Sequence, residues 1–596
     1  MKIFRNQNKA GVRVITFATL LATIAAGASA KPARRGPISV EQPDGTQLTI
    51  RLEGDEFRHA AFTDDGYPLL YDDDLGYVYA DIMTDGTLSP TRIKAADASM
   101  RQAAARSFLA GISPERIAAS RKAMTAGDDA RGNRTSAPRK GPGLCSTTYP
   151  LTGEQKGLVI LVEYTDVKFG TSNTKFNYAD YSDGGAHQYF SDMLNKPGFD
   201  GCGAVGSCRD WFLQNSRNAK GESQFIPTFD VYGPVTLPNN MRYYGGNDSR
   251  GNDRNPQKMV IHACELLDDE IDFSQYDRDG DGYVDNIYIF YAGLGEADGG
   301  SANTVWPHSW DISAAESATY RFDGKIIDHY ACSNETDATT RRPDGVGTFV
   351  HEFSHVMGLP DLYTTSYNYS YTPGAYSVLD YGPYNNEGRT PPNYSAYERY
   401  ALGWLEPEEY GEEGIYTLGH IADTNEAYIV KTEKANEYFL VENRQQKGWD
   451  TYLPGHGMLI WHVDYVRSVF NNNTVNNTPS HQYVDLIEAN NRQAEAYAAG
   501  HPFPGTSGVD SYTFKSWSRR DTGVSFSGIT EDTETGLISK TAVNTNYTGP
   551  SAISNLAEED TSDTEYYNLQ GIRVTEPAKG QLLIRKQGQS TSKIIF

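Results

Sequence analysis

The sequence predicts an α+β domain, a mixed sheet with one helix that carries the chemistry, flanked by a separate amino-terminal unit and by all-β units after it. Three observations predict this. Runs 157–164 and 286–291 are rich in β-branched and aromatic residues, and helical patterns at 257–267, 348–357 and 393–402 lie between and after them. Beyond Trp404 helical periodicity fades, and short strands at 427–430, 438–441 and 458–461 recur between turns to about residue 545. Before residue 146 the composition changes twice, as a β-patterned stretch gives way to a helical, low-complexity one. A chain of 596 residues, of which 38% are hydrophobic, is divided among several such units more readily than gathered around one core.

The amino-terminal part opens with a targeting segment. Lys2, Arg5, Lys9 and Arg13 precede an apolar run over 14–28, and Ala28-Ser29-Ala30 has the small-x-small form that a signal peptidase reads, so residues 1–30 read as a signal peptide cut after Ala30. The run is shorter than the roughly 20 residues of a spanning helix, and no later run is as apolar, which predicts no transmembrane helix after cleavage. Residues 31–145 read as a propeptide and linker. Asp65-Gly66 and Asp85-Gly86 mark hairpin turns within 47–88, 95–126 is helical, and 127–143 is basic and turn-rich, as an exposed site for an activating protease would be. Residues 146–405 form the catalytic unit, 406–545 a β-rich accessory domain, and 546–596 an acidic linker and a last module of short strands.

Charge narrows the partners. A formal charge of −24 repels a phosphate backbone and excludes nucleic acid as the expected partner. Five cysteines are too few for a disulfide framework, although the small spacer 203–207 would let Cys202 and Cys208 close a tight loop in an oxidising compartment.

His351-Glu352-Phe353-Ser354-His355 is the sharpest signal. Histidines at i and i+4 share one face of a helix, so both imidazoles reach one metal while Glu352 stays beside it to serve a bound water. Gly358 stops the helix, Pro360 follows, and Asp361 lies six residues past His355, giving H-E-x-x-H-x-x-G-x-x-D. This resembles the long metzincin signature of zincin-type peptidases with Asp in place of the third His, a competent zinc ligand that leaves a position open for water. Ser377-Val378-Leu379-Asp380-Tyr381-Gly382, starting 22 residues past His355, is similar to the Met-turn with Leu379 in the methionine's place. It places an apolar floor under the metal and the Tyr381 phenol near a developing oxyanion. A competing third ligand is Glu398, on the helical pattern 393–402, as in gluzincins. Asp277, Asp279, Asp281 and Asp285, with Gly282 at the turn, form a loop-type calcium signature that lacks the twelfth-position Glu of an EF-hand, since Tyr288 stands there. Cys145 offers a thiolate to the zinc of a latent form, and His308 is a loop histidine that satisfies backbone carbonyls or lines the cleft.

Over most of residues 155–515 the chain is similar to secreted metallopeptidases of the immune inhibitor A (M6) family. The likeness is carried by 351–363, by the acidic loop 277–286, by Asn303-Thr-Val-Trp-Pro-His-Ser-Trp310 and by Pro454-Gly-His-Gly-Met-Leu-Ile-Trp-His-Val-Asp464. The resemblance implies a zinc endopeptidase made as a zymogen, with a propeptide, a catalytic domain and β-rich accessory domains, acting on protein or peptide substrates. The terminal segments 566–573 and 579–585 resemble the sorting modules of secreted Bacteroidetes proteins, so the expected location is extracellular or attached to the cell surface. A different class of function, a surface adhesin with an inactive peptidase-like domain, is favoured by the β-rich second half and the 40 tyrosines.

Overall fold

The computed structural model describes residues 29–55, 58–125, 144, 147, 149–248, 251–366 and 370–547, and four strands within 565–595. The predicted linker over 127–143 and Cys145 lie outside the described residues.

The amino-terminal unit is a six-stranded antiparallel meander in sequence order, Ile38–Glu41, Gln47–Asp55, Arg58–Thr63, Pro68–Asp72, Gly76–Ile82 and Leu88–Lys94. The Asp-Gly pairs turn it as expected, because Gly66 and Gly86 adopt φ of 90° and 88°, where a side chain would be strained. Helices Ala103–Leu109 and Pro114–Thr125 follow, and the core between helix and sheet also takes in Ala297 and Trp306 of the catalytic unit.

The catalytic sheet is mixed. Strands Phe225–Thr236, Gly153–Glu163, Ile287–Leu294 and His329–Thr336 run parallel in that spatial order, and His308–Asp311 lies antiparallel on the edge. The short strand Ser29–Ala30 pairs antiparallel with that edge, Ala30 opposite His308. Parallel strands need both faces covered, which explains their near-continuous apolar runs.

Helix Val346–Val356 packs on the sheet and is buried at every residue. Phe349 and Phe353, one turn apart, stack on one another and meet Phe229 edge-on, and Phe349 also packs on Tyr288. His351 and His355 lie on the opposite face, with Glu352 on its flank. Close backbone approach demands glycine at the start of this helix, since a Cβ at Gly347 would lie 2.2 Å from the Pro383 carbonyl oxygen.

Beyond residue 406 two layers form, antiparallel but for a short parallel pair between Glu408–Glu409 and Tyr428–Lys431. A five-stranded sheet holds Glu437–Arg444 and Gly457–Asp464, and a four-stranded one holds Gly414–Leu418, Tyr512–Lys515, Asp521–Glu531 and Ile538–Asn544. Phe439, Val441, Met458 and Ile460 point into the core between the layers. Their neighbours Tyr438, Leu440, Leu459, Trp461 and Val463 point the other way, into the core that holds the active-site helix. The catalytic core therefore runs without interruption from Leu144 to Ala498 and crosses the boundary that the sequence places at 405/406. The last segment pairs as a four-stranded sheet, Arg573–Val574, Glu565–Tyr567, Leu582–Gln587 and Ser590–Ile595.

The expected Cys202–Cys208 bridge is absent. Both cysteines are free thiols, Cys208 buried at the start of helix Cys208–Asn215 and Cys202 held in a turn at φ 55°.

Candidate metal centre

The helix presents its histidines, and the turn after it supplies the third group. Gly358 takes φ 94° at the end of the helix, with its N–H on the His355 carbonyl and that of Leu359 on the Ser354 carbonyl. The chain then doubles back, so that Asp361 Oδ1 lies 3.1 Å from His355 Nε2 and 3.5 Å from His351 Nε2. The two Nε2 atoms are 3.1 Å apart. All three side chains are buried.

Their tautomers follow from their partners. His351 Nδ1 is 2.7 Å from the Val378 carbonyl and His355 Nδ1 is 2.8 Å from the Leu359 carbonyl. A carbonyl only accepts, so each Nδ1 carries the proton and each Nε2 presents a lone pair. Two lone pairs and a carboxylate oxygen with no hydrogen-bond partner therefore converge on one point. Neutral imidazoles and a carboxylate repel in that arrangement, and a divalent cation is what reconciles them, so the residues fit a zinc ion. Val378 belongs to the predicted Met-turn, whose Leu379 is fully buried.

Asn473, unsuspected from the sequence, holds Asp361. Its Nδ2 donates to Asp361 Oδ2 at 2.6 Å, and its Oδ1 accepts the Asp361 backbone N–H at 2.8 Å. This residue comes from the chain beyond 406, 112 positions away.

Glu352 is buried beside the histidines. Burial, followed by the Asp361 charge, pushes its carboxyl well above the usual carboxylate range. One oxygen accepts the Lys31 backbone N–H at 2.9 Å, and the other has no hydrogen-bond partner among the described residues. The Tyr381 hydroxyl donates to the Ala33 carbonyl at 3.1 Å, two residues along the segment whose Lys31 N–H meets Glu352.

Glu398 is placed elsewhere. It closes a capping box at Ser395 on helix Ala396–Ala401 and accepts from Ser377 Oγ at 2.5 Å, which leaves it a support for the turn under the metal site. His308 is buried with Nδ1 2.6 Å from the Trp306 carbonyl and Nε2 2.8 Å from the Tyr330 hydroxyl, so its two ring nitrogens are taken by the loop before it and by the neighbouring strand.

The acidic loop is assembled in part. Ligand atoms of Asp277, Asp279 and Asp285 lie within 4.8 Å of one another, whereas Asp281 accepts the Tyr283 backbone N–H at 2.8 Å and stands outside the group. Asp277 already pairs with Lys325 Nζ at 2.6 Å. Burial and then the neighbouring carboxylates push Asp285 up to about 7.

Comparison with known proteins places the same part of the chain beside a known family. Residues 149–406 match the immune inhibitor A peptidase M6 catalytic domain. Immune inhibitor A of Bacillus thuringiensis subsp. alesti is 29% identical over 269 residues, covering 41% of this chain and 38% of that protein. The pre-pro-metalloprotease PrtV of Vibrio cholerae serotype O1 is 26% identical over 317 residues, covering 46% of this chain and 34% of that protein. The matched part thus spans little more than a third of either curated relative.

Proposed function

With a peptidase M6 catalytic domain at residues 149–406 as the premise, we propose that the protein is a secreted zinc-dependent endopeptidase, made as a zymogen, that hydrolyses peptide bonds of extracellular proteins. The observation that carries this reading is the buried convergence of His351 Nε2, His355 Nε2 and Asp361 Oδ1 beside the half-satisfied Glu352 carboxylate.

His351, His355 and Asp361 would hold the zinc, which when bound polarises both a water and the scissile carbonyl. Glu352 takes the proton of the attacking water and returns it to the nitrogen of the departing amine, which closes the proton balance of hydrolysis. Tyr381, whose hydroxyl now donates to the Ala33 carbonyl, is assigned to the oxyanion, a role it takes only on leaving that carbonyl. The buried, water-poor floor around Leu379 strengthens each of these interactions.

Calcium at Asp277, Asp279 and Asp285 belongs to the same reading as a structural ion, supported by their grouping and by the orphaned, buried Oδ1 of Asp277. An activating protease cuts the linker over 127–143. Among the described residues no helix is long and apolar enough to cross a membrane.

Glu352→Gln tests the reading. It should leave the fold and zinc content intact and lower casein turnover by about 10²- to 10⁴-fold. Near wild-type cleavage by that variant would sink the mechanism, and a fully folded protein without zinc would favour the adhesin.

A further inference from the structure

The segment just after Ala30 lies across the metal centre as an extended peptide. Ser29–Ala30 adds antiparallel to the sheet edge at His308–Asp311, and three aromatic side chains then grip successive carbonyls. Trp306 Nε1 donates to Lys31 O at 3.0 Å, the Tyr384 hydroxyl to Pro32 O at 2.7 Å and the Tyr381 hydroxyl to Ala33 O at 3.1 Å. Backbone contacts of this kind hold a peptide irrespective of its sequence.

One side chain is read specifically. The Lys31 ammonium is buried among Asp298, at 3.1 Å, Asp344, at 3.7 Å, and the Thr348 hydroxyl, at 2.9 Å. Ligand atoms of Asp298, Asp337 and Asp344 lie within 4.8 Å of one another, and all three residues are buried. Arg34, three residues on, takes Asp337 at 2.6 Å. Thr348 stands one helical turn before Glu352, so this acidic pocket opens directly beside the general base.

Register decides what the pocket is for. In peptide hydrolysis water adds to the carbonyl carbon, the C–N bond breaks, and the nitrogen that leaves collects its proton from the general base. The nitrogen facing Glu352 is that of Lys31, so the residue following the cut bond is the one whose side chain enters the acidic pocket. Resting on the peptidase reading above, we propose that Asp298, Asp337 and Asp344 form the specificity pocket for a lysine on the carboxyl side of the cut, and that residues 31–35 are its resident, product-like occupant. An apolar side chain there would leave buried carboxylates unpaired, the kind of mismatch that discriminates strongly.

The test uses the full chain activated by immobilised trypsin, which is then removed, acting on a mixture of peptides. Cuts made by the wild type and missing from an identically treated Glu352→Gln chain should fall before lysine, with X–Lys preferred over X–Leu by roughly a hundredfold or more in kcat/KM. The peptide Lys-Pro-Ala-Arg-Arg should inhibit at least about tenfold better than Leu-Pro-Ala-Arg-Arg, and Asp298→Asn should shrink both ratios by about tenfold or more. Cuts without lysine enrichment after the scissile bond, or equal inhibition by the two peptides, overturn the pocket assignment while leaving the peptidase reading in place. No Glu352-dependent cut at all overturns both.

Discussion

Asn473 and Asp361 exchange two hydrogen bonds across 112 residues of chain, so a side chain from the β-rich half fixes the third acceptor of the candidate metal centre. Such outer partners typically set metal affinity within a factor of ten to a hundred. Asn473→Ala should weaken zinc binding by about that much in a competition titration with a chelator, with the fold retained. Unchanged affinity would show that the helix and turn alone position Asp361.

The joint between the two halves is electrostatic as well as apolar. Arg444, fully buried, pairs with Asp450 and donates to the Asn393 carbonyl at 2.9 Å, while Asp450 accepts the Asn393 N–H and Glu442 accepts that of Ala396, each at 2.9 Å. Removing one member strands buried charges, so Arg444→Ala should cost about 3–5 kcal/mol. Urea denaturation followed by tryptophan fluorescence should also show residues 149–545 unfolding in one transition. Two separate transitions would contradict the shared core.

His59 of the amino-terminal sheet meets Glu296 of the catalytic unit at 3.2 Å and stacks on Trp306. Burial opposes its charge, but Glu296 outweighs it and raises the imidazole to about 9. A raised histidine contributes stability that is complete below its unfolded value near 6.5 and is lost as pH climbs through 9, amounting to about 3 kcal/mol at most. Protection of the meander in hydrogen exchange should fall over that interval, and His59→Gln should flatten the dependence.

Asp285 runs with the opposite sign. A carboxyl raised to about 7 binds more protons folded than unfolded between about pH 4 and 7, so the calcium-free catalytic unit should lose stability as pH rises through that window. Calcium should reverse the loss and raise the Tm most at pH 7 and above. A Tm indifferent to chelation in wild type, or one still calcium-dependent in Asp279→Ala, would remove the cation from the loop.

The candidate metal centre is legible in sequence where its information is local. The i, i+4 histidines, Gly358 at the helix end and Asp361 just past it are all set by backbone geometry within eleven positions, and they converge as the spacing requires. Glu398 shared the residue type but was claimed by a nearer need, the cap of its own helix. Asn473 and the Asp298, Asp337 and Asp344 pocket were not legible, because each residue sits in an unremarkable loop and only the packed fold brings them together. The boundary at 405/406 was drawn from local period alone. The unbroken apolar runs at 438–441 and 458–461 carried the missing signal, since a strand with one wet face alternates and these do not.

Those two-sided strands bear on how such a chain can evolve. A recombination break near 406 would strip Tyr438, Leu440, Leu459, Trp461 and Val463 from the wall of the catalytic core and take Asn473 with them. Inserting one residue in either strand would be equally disruptive, because every side chain would trade one core for the other. Lineages carrying this chain are therefore free to exchange modules beyond 545, and must inherit the stretch from 149 to 545 as a single block.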